Sequence, residues 1–152
     1  MRTITRDVVS ALVISSDNKF LMGKTDPVAG GVYSGCWVIP GGGIDEGETK
    51  REALKREMLE ETKLDITPYE VKIVEDGGSG QSEKTLKDTG ERVSVHMNFF
   101  TYEIRIDLPA KKIPVYATEE LVEIKWIDIN DLPNEKLAAP TVKLLKKLKY
   151  IR

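Results

Sequence analysis

The stretch Pro40-Gly41-Gly42-Gly43-Ile44-Asp45-Glu46-Gly47-Glu48-Thr49-Lys50-Arg51-Glu52-Ala53-Leu54-Lys55-Arg56-Glu57-Met58-Leu59-Glu60-Glu61-Thr62-Lys63-Leu64 decides how this chain is read. Three successive glycines lead into a carboxylate-rich segment that contains no helix breaker. Thr49, with Glu52 three residues on, spells a capping box and predicts a helix from Thr49 to about Thr62. At ~100° of rotation per residue, Glu57, Glu60 and Glu61 fall within roughly 100° of one another. Leu54 and Met58 project beside that face and Ala53 lies within its arc, so the carboxylates belong at the margin of the buried side. Two unit charges ~5.5 Å apart repel by about 3 kcal/mol at an effective dielectric of ~20. Arg56 offsets part of this, because Glu52 and Glu60 lie one helical turn to either side of it. One arginine does not balance three glutamates, which makes a divalent cation the natural remaining partner. Oxygen-only ligands favour Mg²⁺ or Mn²⁺ over zinc. Taken without its loop, the helix also has the charge pattern of an ordinary solvated face.

The loop and helix together carry a longer pattern. Gly42, five residues, Glu48, seven residues, Arg56-Glu57-Met58, one residue, Glu60-Glu61, one residue, Lys63-Leu64 resembles the signature box of the MutT-like Nudix hydrolases, and eight of the nine defined positions match. The departure is Lys63, where the family has glycine. Glycine just past a helix commonly supplies a left-handed cap, so the helix is expected to run on slightly or to end differently.

The resemblance implies an α/β/α sandwich and hydrolysis of a nucleoside diphosphate linked to another moiety X. Carried across residue by residue, Glu60 and Glu61 match the principal metal ligands, Glu57 the position that ligates metal or activates water, and the Gly41 carbonyl a backbone ligand. Arg56 and Glu48 match an orienting ion pair. Glu120, ahead of the strand holding Trp126, resembles a downstream glutamate that completes the metal site or acts as base. Glu57 is the first choice for the base and Glu120 the second. Lys24 sits where members often place a phosphate contact. The implied activity is Mg²⁺-dependent (or Mn²⁺-dependent) pyrophosphohydrolysis, foremost of ribo- or deoxynucleoside triphosphates to a monophosphate and pyrophosphate. The alternatives are an NDP-sugar or ADP-ribose pyrophosphatase and a non-catalytic nucleotide sensor. No asparagine opens the C-terminal helix, where some oxidised-guanine hydrolases of the family carry one.

Bulk properties agree with that class. A chain of 152 residues is the size of one ordinary domain, expected to span 1–152. Apolar content of 40% with 32% charged residues is typical of globular proteins. A net charge of −2 argues against an extended nucleic-acid partner, since such surfaces are strongly basic. It suits a small nucleotide held through a metal, and a homodimer stays open. Cys36 is the single cysteine, so no intrachain disulfide forms and a reducing cytoplasm is expected. No run approaches the ~20 apolar residues that span a bilayer.

Asp7 to Ser15 and Lys19 to Lys24 read as a hairpin around Ser16-Asp17-Asn18. Thr25 to Gly35 reads as a loop in which Tyr33 either stacks on a base or packs the loop. Cys36 to Ile39 is a short strand delivering the chain to the glycines. After the helix, Ile66 to Glu75 reads as a strand, and Asp76 to Gly90, with four glycines, as a long loop. Glu91 to Ile106 is the longest strand candidate. Val93, Val95, Met97 and Phe99 occupy one face; Arg92, Ser94, His96 and Asn98 occupy the other and are placed along a substrate cleft. His96 is read as either a substrate contact or an ordinary strand residue. Leu121 to Ile127 is a last strand, and Pro140 to Tyr150 a closing helix with Val142, Leu144, Leu145 and Leu148 inward. This order gives an α/β class: a mixed sheet with a helix on either face.

Overall fold

The computed structural model describes residues 1–25, 35–118 and 121–152. Seven strands and two α-helices follow in the order β1 (Arg2–Ser15), β2 (Lys19–Lys24), β3 (Trp37–Val38), β4 (Gly41–Gly43), α1 (Lys50–Thr62), β5 (Lys72–Thr85), β6 (Arg92–Ile106), β7 (Glu123–Asp128) and α2 (Ala139–Lys147). One sheet holds all seven strands, with the path β3-β2-β1-β6-β5, β4 on β1 and β7 on β2.

The axis of the sheet is a parallel ladder between β1 and β6 that runs from Arg2 opposite Val93 to Ser15 opposite Ile106. All other named pairings are antiparallel. Strand alternation sends residues of β1 to opposite faces. Val9, Ala11 and Val13 pack with Ala53, Leu54 and Met58 of α1, together with Tyr102 and Ile104. Leu12 and Ile14 face the other way and pack with Phe20, Met22, Ile127 and Leu145 of α2. The sheet is therefore covered by one helix on each face, the expected α/β/α arrangement.

Helix α1 begins as its sequence predicts. The Thr49 side chain accepts from the Glu52 N–H, and the Glu52 carboxylate accepts from the Thr49 N–H. Its end uses the cap a glycine would make, with a lysine in it: Lys63 adopts φ 64°, ψ 12° and donates its N–H to the Leu59 carbonyl. Helix α2 starts at Ala139, with Pro140 in its first turn where no intrahelical N–H is required.

Three sequence expectations change. The segment 76–90 is not a loop, because β5 continues to Thr85 on the β6 ladder and only the end of that segment turns. Gly77, Gly78 and Gly80 remove the side-chain periodicity that marks a strand, while the main chain still pairs. Residues 66–71 precede the strand instead of belonging to it. The triple glycine is itself a short strand on β1, Gly41 opposite Ser10 and Gly43 opposite Val8. The loop read from Thr25 to Gly35 lies mostly outside the described residues.

The positive φ at Lys63 gives a test. A left-handed residue with a Cβ costs about 1–2 kcal/mol, partly offset in glycine by its greater unfolded-state entropy. Lys63→Gly is expected to stabilise the protein by ~0.5–1 kcal/mol in urea unfolding; a lower midpoint in the variant would contradict this reading of the cap.

Candidate active site

Helix α1 buries an unusual stripe: Ala53, Leu54 and Met58 are joined on the inner side by Glu57, 7% exposed, and Glu61, 5% exposed. Buried carboxylates require partners. The Glu61 Oε1 accepts the Gly41 N–H at 2.8 Å, and Glu57 Oε1 accepts Arg56 Nη1 at 2.9 Å. Glycine makes this packing possible. A Cβ on Gly42 would lie 2.4 Å from the Glu57 carboxyl, and one on Gly41 would lie 2.1 Å from the Val9 carbonyl oxygen.

Arg56 is the electrostatic centre. Nε and Nη2 bind the two oxygens of Glu48 at 2.7 and 2.9 Å, Nη2 also reaches the Gly43 carbonyl at 3.0 Å, and Nη1 adds Glu60 at 3.2 Å. The guanidinium hydrogen bond from Arg56, helped by the Asp45 N–H, holds the Glu48 carboxyl below the usual carboxylate range. The hydrogen bond to Glu48 in turn raises the Arg56 pKa, so this residue stays protonated. The i,i+4 pair with Glu60 exists as predicted, whereas Glu52 is used in the capping box.

One guanidinium nitrogen meets oxygens of both Glu57 and Glu60, so these carboxylates converge on a point that favours positive charge. With Glu61 one turn on, the donors are all oxygens, which suits a hard divalent cation. Among the described residues no three acidic, histidine or cysteine side chains stand assembled as a metal cage. Glu60 is the adjustable member: its side chain is 46% exposed, and an exposed ion pair of this kind is worth little.

Beyond the glycine strand, on the α2 side of the sheet, lies a cavity of about 200 Å³ whose walls include Val8, Met97, Phe99, Thr101, Gly41 and Leu144. Its floor carries a buried hydroxyl pair, Ser10 Oγ to Thr101 Oγ1 at 3.1 Å. The cleft therefore follows the apolar row of β6, correcting the expected polar row. His96 makes a 3.3 Å contact with Gln81 Oε1, and Asn98 donates to Asp7 at 3.0 Å. Neither lines the cavity. The reason is the parallel register: Val8 and Ser10 stand opposite Phe99 and Thr101, so the face of β6 shared with the cavity is the odd-numbered one. Lys24 is at the end of β2, its Nζ 5.7 Å from the Trp37 ring centre, and it does not line the cavity. Tyr33 and Glu120 lie outside the described residues. Sequence reasoning missed Ser10, Thr101 and Glu75 as cavity residues; only the pairing of distant strands brings them together.

The match to known proteins agrees with this geometry. The NUDIX domain family model covers residues 4–148, and the chain belongs to the Nudix family of pyrophosphohydrolases. It is 30% identical over 146 residues to the nucleoside triphosphatase NudI of Escherichia coli O17:K52:H18, covering 93% of this chain and 94% of that one. In fold it is similar to the MutT protein of Methanosarcina mazei Go1, with TM-score 0.69 and 18% identity over 98% of this chain and 96% of that chain. It is also similar to the NUDIX domain of Shewanella oneidensis NrtR, complexed with ADP ribose, with TM-score 0.66 and 16% identity over 96% and 87% of the two chains.

The two glycines should fail differently when changed. Gly41→Ala meets backbone and is expected to cost about 1–3 kcal/mol of stability. Gly42→Ala meets a movable carboxylate, so it should lose about 10²-fold in turnover with a smaller stability loss; wild-type turnover in that variant would remove the Glu57 packing from consideration. Acid unfolding probes the ion pair. Because the folded Glu48 pKa is depressed, its stabilisation is present above the ordinary carboxylate value of ~4.3 and is lost as pH falls through the folded value. Glu48→Gln should flatten that part of the stability curve, and an unchanged acid limb would contradict the pairing.

Proposed function

We propose that this protein hydrolyses nucleoside triphosphates, ribo or deoxy, to a nucleoside monophosphate and pyrophosphate with Mg²⁺ or Mn²⁺ as cofactor. The observation that carries this reading is the double use of Gly41. Its N–H holds Glu61 on the α1 side, while the same residue borders an apolar cavity on the α2 side. A nucleoside in that cavity presents its phosphates to the carboxylates. The full-length likeness to a nucleoside triphosphatase supports the triphosphate as the substrate class.

Glu57, Glu60 and Glu61, with the Gly41 carbonyl, would hold the cation, and Glu120 is kept as a further ligand. When bound, such a cation supplies neutralisation of the polyphosphate charge and makes water more acidic. The chain's own residues do the rest. Glu57, buried and flanked by Gly42, is the general base that accepts the proton of the attacking water; Glu120 is second in that role. Arg56 remains protonated, holds Glu57 and Glu48 in register, and acts as a positioning residue. The apolar walls orient the nucleoside and exclude water from its ring. Lys24 and Tyr33 are retained as candidate substrate contacts, whereas His96 and Asn98 face away from the cavity.

A panel of ribo- and deoxynucleoside triphosphates, ADP-ribose and an NDP-sugar, assayed with magnesium, tests the substrate class. Triphosphates should give pyrophosphate; preferential cleavage of ADP-ribose would overturn the triphosphate reading, and binding without any product would favour a sensor. Glu57→Gln should lower kcat by about 10²–10⁴-fold with the fold retained. Magnesium titration of Glu60→Gln and Glu61→Gln should show weakened binding, and unaltered affinity in both would remove these two residues from the metal site.

A further inference from the structure

Strand β5 breaks its own alternation twice, on either side of one glutamate. Ile73 stands opposite Tyr102, whose side chain belongs to the α1-side core. The next pairing is Glu75 with Thr101, which leaves Val74 as an extra residue. In a regular strand Ile73 and Glu75 share a face. The inserted residue instead turns Glu75 to the cavity side, where Thr101 lies. A second irregularity separates Asp76 from Gly78, with Gly77 at φ 98°. Gly78 then leaves the space that the Glu75 carboxyl occupies, since a Cβ there would lie 2.5 Å from it. Bulges of this kind re-aim side chains beside active sites.

The carboxylate so placed is largely enclosed, with 15% of its side chain exposed. Lys147 of α2 approaches it at 3.8 Å, but that lysine is 60% exposed and the pair is a weak one. A carboxylate only accepts hydrogen bonds, so it is complementary to N–H or O–H groups of whatever enters. Its position says which part of a nucleotide arrives there. Gly41, Ser10, Thr101 and Glu75 form a single row across four neighbouring strands. At ~4.8 Å per strand, Glu75 is ~14 Å from Gly41 along that row. Phosphates at the Gly41 end leave the sugar over β1, beside Val8 and Ser10, and the ring over β6 and β5, beside Met97, Phe99, Gly78 and Glu75.

From this placement we infer that Glu75 is a specificity-determining residue: its carboxylate accepts a hydrogen bond from an exocyclic amino group on the substrate's base. The inference rests on the nucleotide-hydrolase reading above. It makes Glu75 a selector of amino-bearing bases over their deamino counterparts, independent of the steps at Glu57.

Three matched pairs test it: GTP against ITP, ATP against purine riboside triphosphate, and CTP against pyrimidin-2-one riboside triphosphate. Each is assayed with magnesium on the wild type, Glu75→Met, Glu75→Gln and Lys147→Met. For the pair hydrolysed fastest, the wild type should favour the amino-bearing member by at least about tenfold in kcat/KM, mostly through KM. Glu75→Met should bring the ratio to within about twofold, and Glu75→Gln, isosteric with the native side chain, should lower it severalfold should the Met variant not fold. Lys147→Met should leave it as in the wild type. A wild-type ratio near one, a ratio unmoved by both Glu75 variants, or an equal loss in Lys147→Met would overturn the assignment while leaving the hydrolase reading intact. If none of the six is a substrate, the same pairs are assayed as deoxynucleotides: hydrolysis confined to UTP or dTTP would overturn this inference alone, and no hydrolysis of any ribo- or deoxynucleoside triphosphate would overturn the hydrolase reading and this inference with it.

Discussion

Two carboxylates buried against backbone that lacks side chains are the constraint on which the rest depends. Glu57 and Glu61 sit on the inner stripe of α1, where an ordinary amphipathic helix would place leucine. Taking such groups out of water is costly unless they are hydrogen-bonded. The neighbouring chain meets that need in two ways: the Gly41 N–H binds Glu61, and Gly42 leaves a space filled by the Glu57 carboxyl. Arg56 completes the arrangement by tying Glu48, Glu57, Glu60 and the Gly43 carbonyl to one guanidinium. Helix and glycine strand thus fit each other: Glu61 takes the strand's Gly41 N–H, and the Glu57 carboxyl fills the space that a Gly42 side chain would occupy.

The sheet then divides the work between its faces. Its α1 side carries the charged groups, and its α2 side carries the apolar cavity. Strand β4 belongs to both, because it is paired to β1 at the level of Ser10 while its first N–H serves Glu61. A molecule with a polar, highly charged end and a flat apolar end is complementary to this division. Met97 and Phe99 thus border a cavity that shares Gly41 with the cluster of acids.

Within the cavity the polar groups are few, and they sit along one line across the sheet. Ser10 and Thr101 satisfy each other in part and are nearly inaccessible. Glu75 is different, because the chain departs from regular strand geometry on both sides of it. Structure of that kind is expected where an edge strand shapes a ligand-facing wall.

The sequence by itself determined the local features: the Thr49 capping box, the helix to Thr62, the Asn18 turn between β1 and β2, the long β6 strand and the Nudix pattern. Each is encoded by neighbours within a turn of helix or a few strand residues, where capping chemistry and side-chain period act directly. Glu57, Glu60 and Glu61 were legible as a shared face for the same reason, and Lys63 was legible as the departure, though its left-handed cap was not. Only the tertiary structure decided that β1 runs parallel to β6, that residues 76–85 pair despite their glycines, and that the cleft follows Met97 and Phe99 instead of His96 and Asn98. Those outcomes depend on register between segments about ninety positions apart and on bulges that reverse a face. A one-residue shift in pairing exchanges the two sides of a strand, and no local period contains that information.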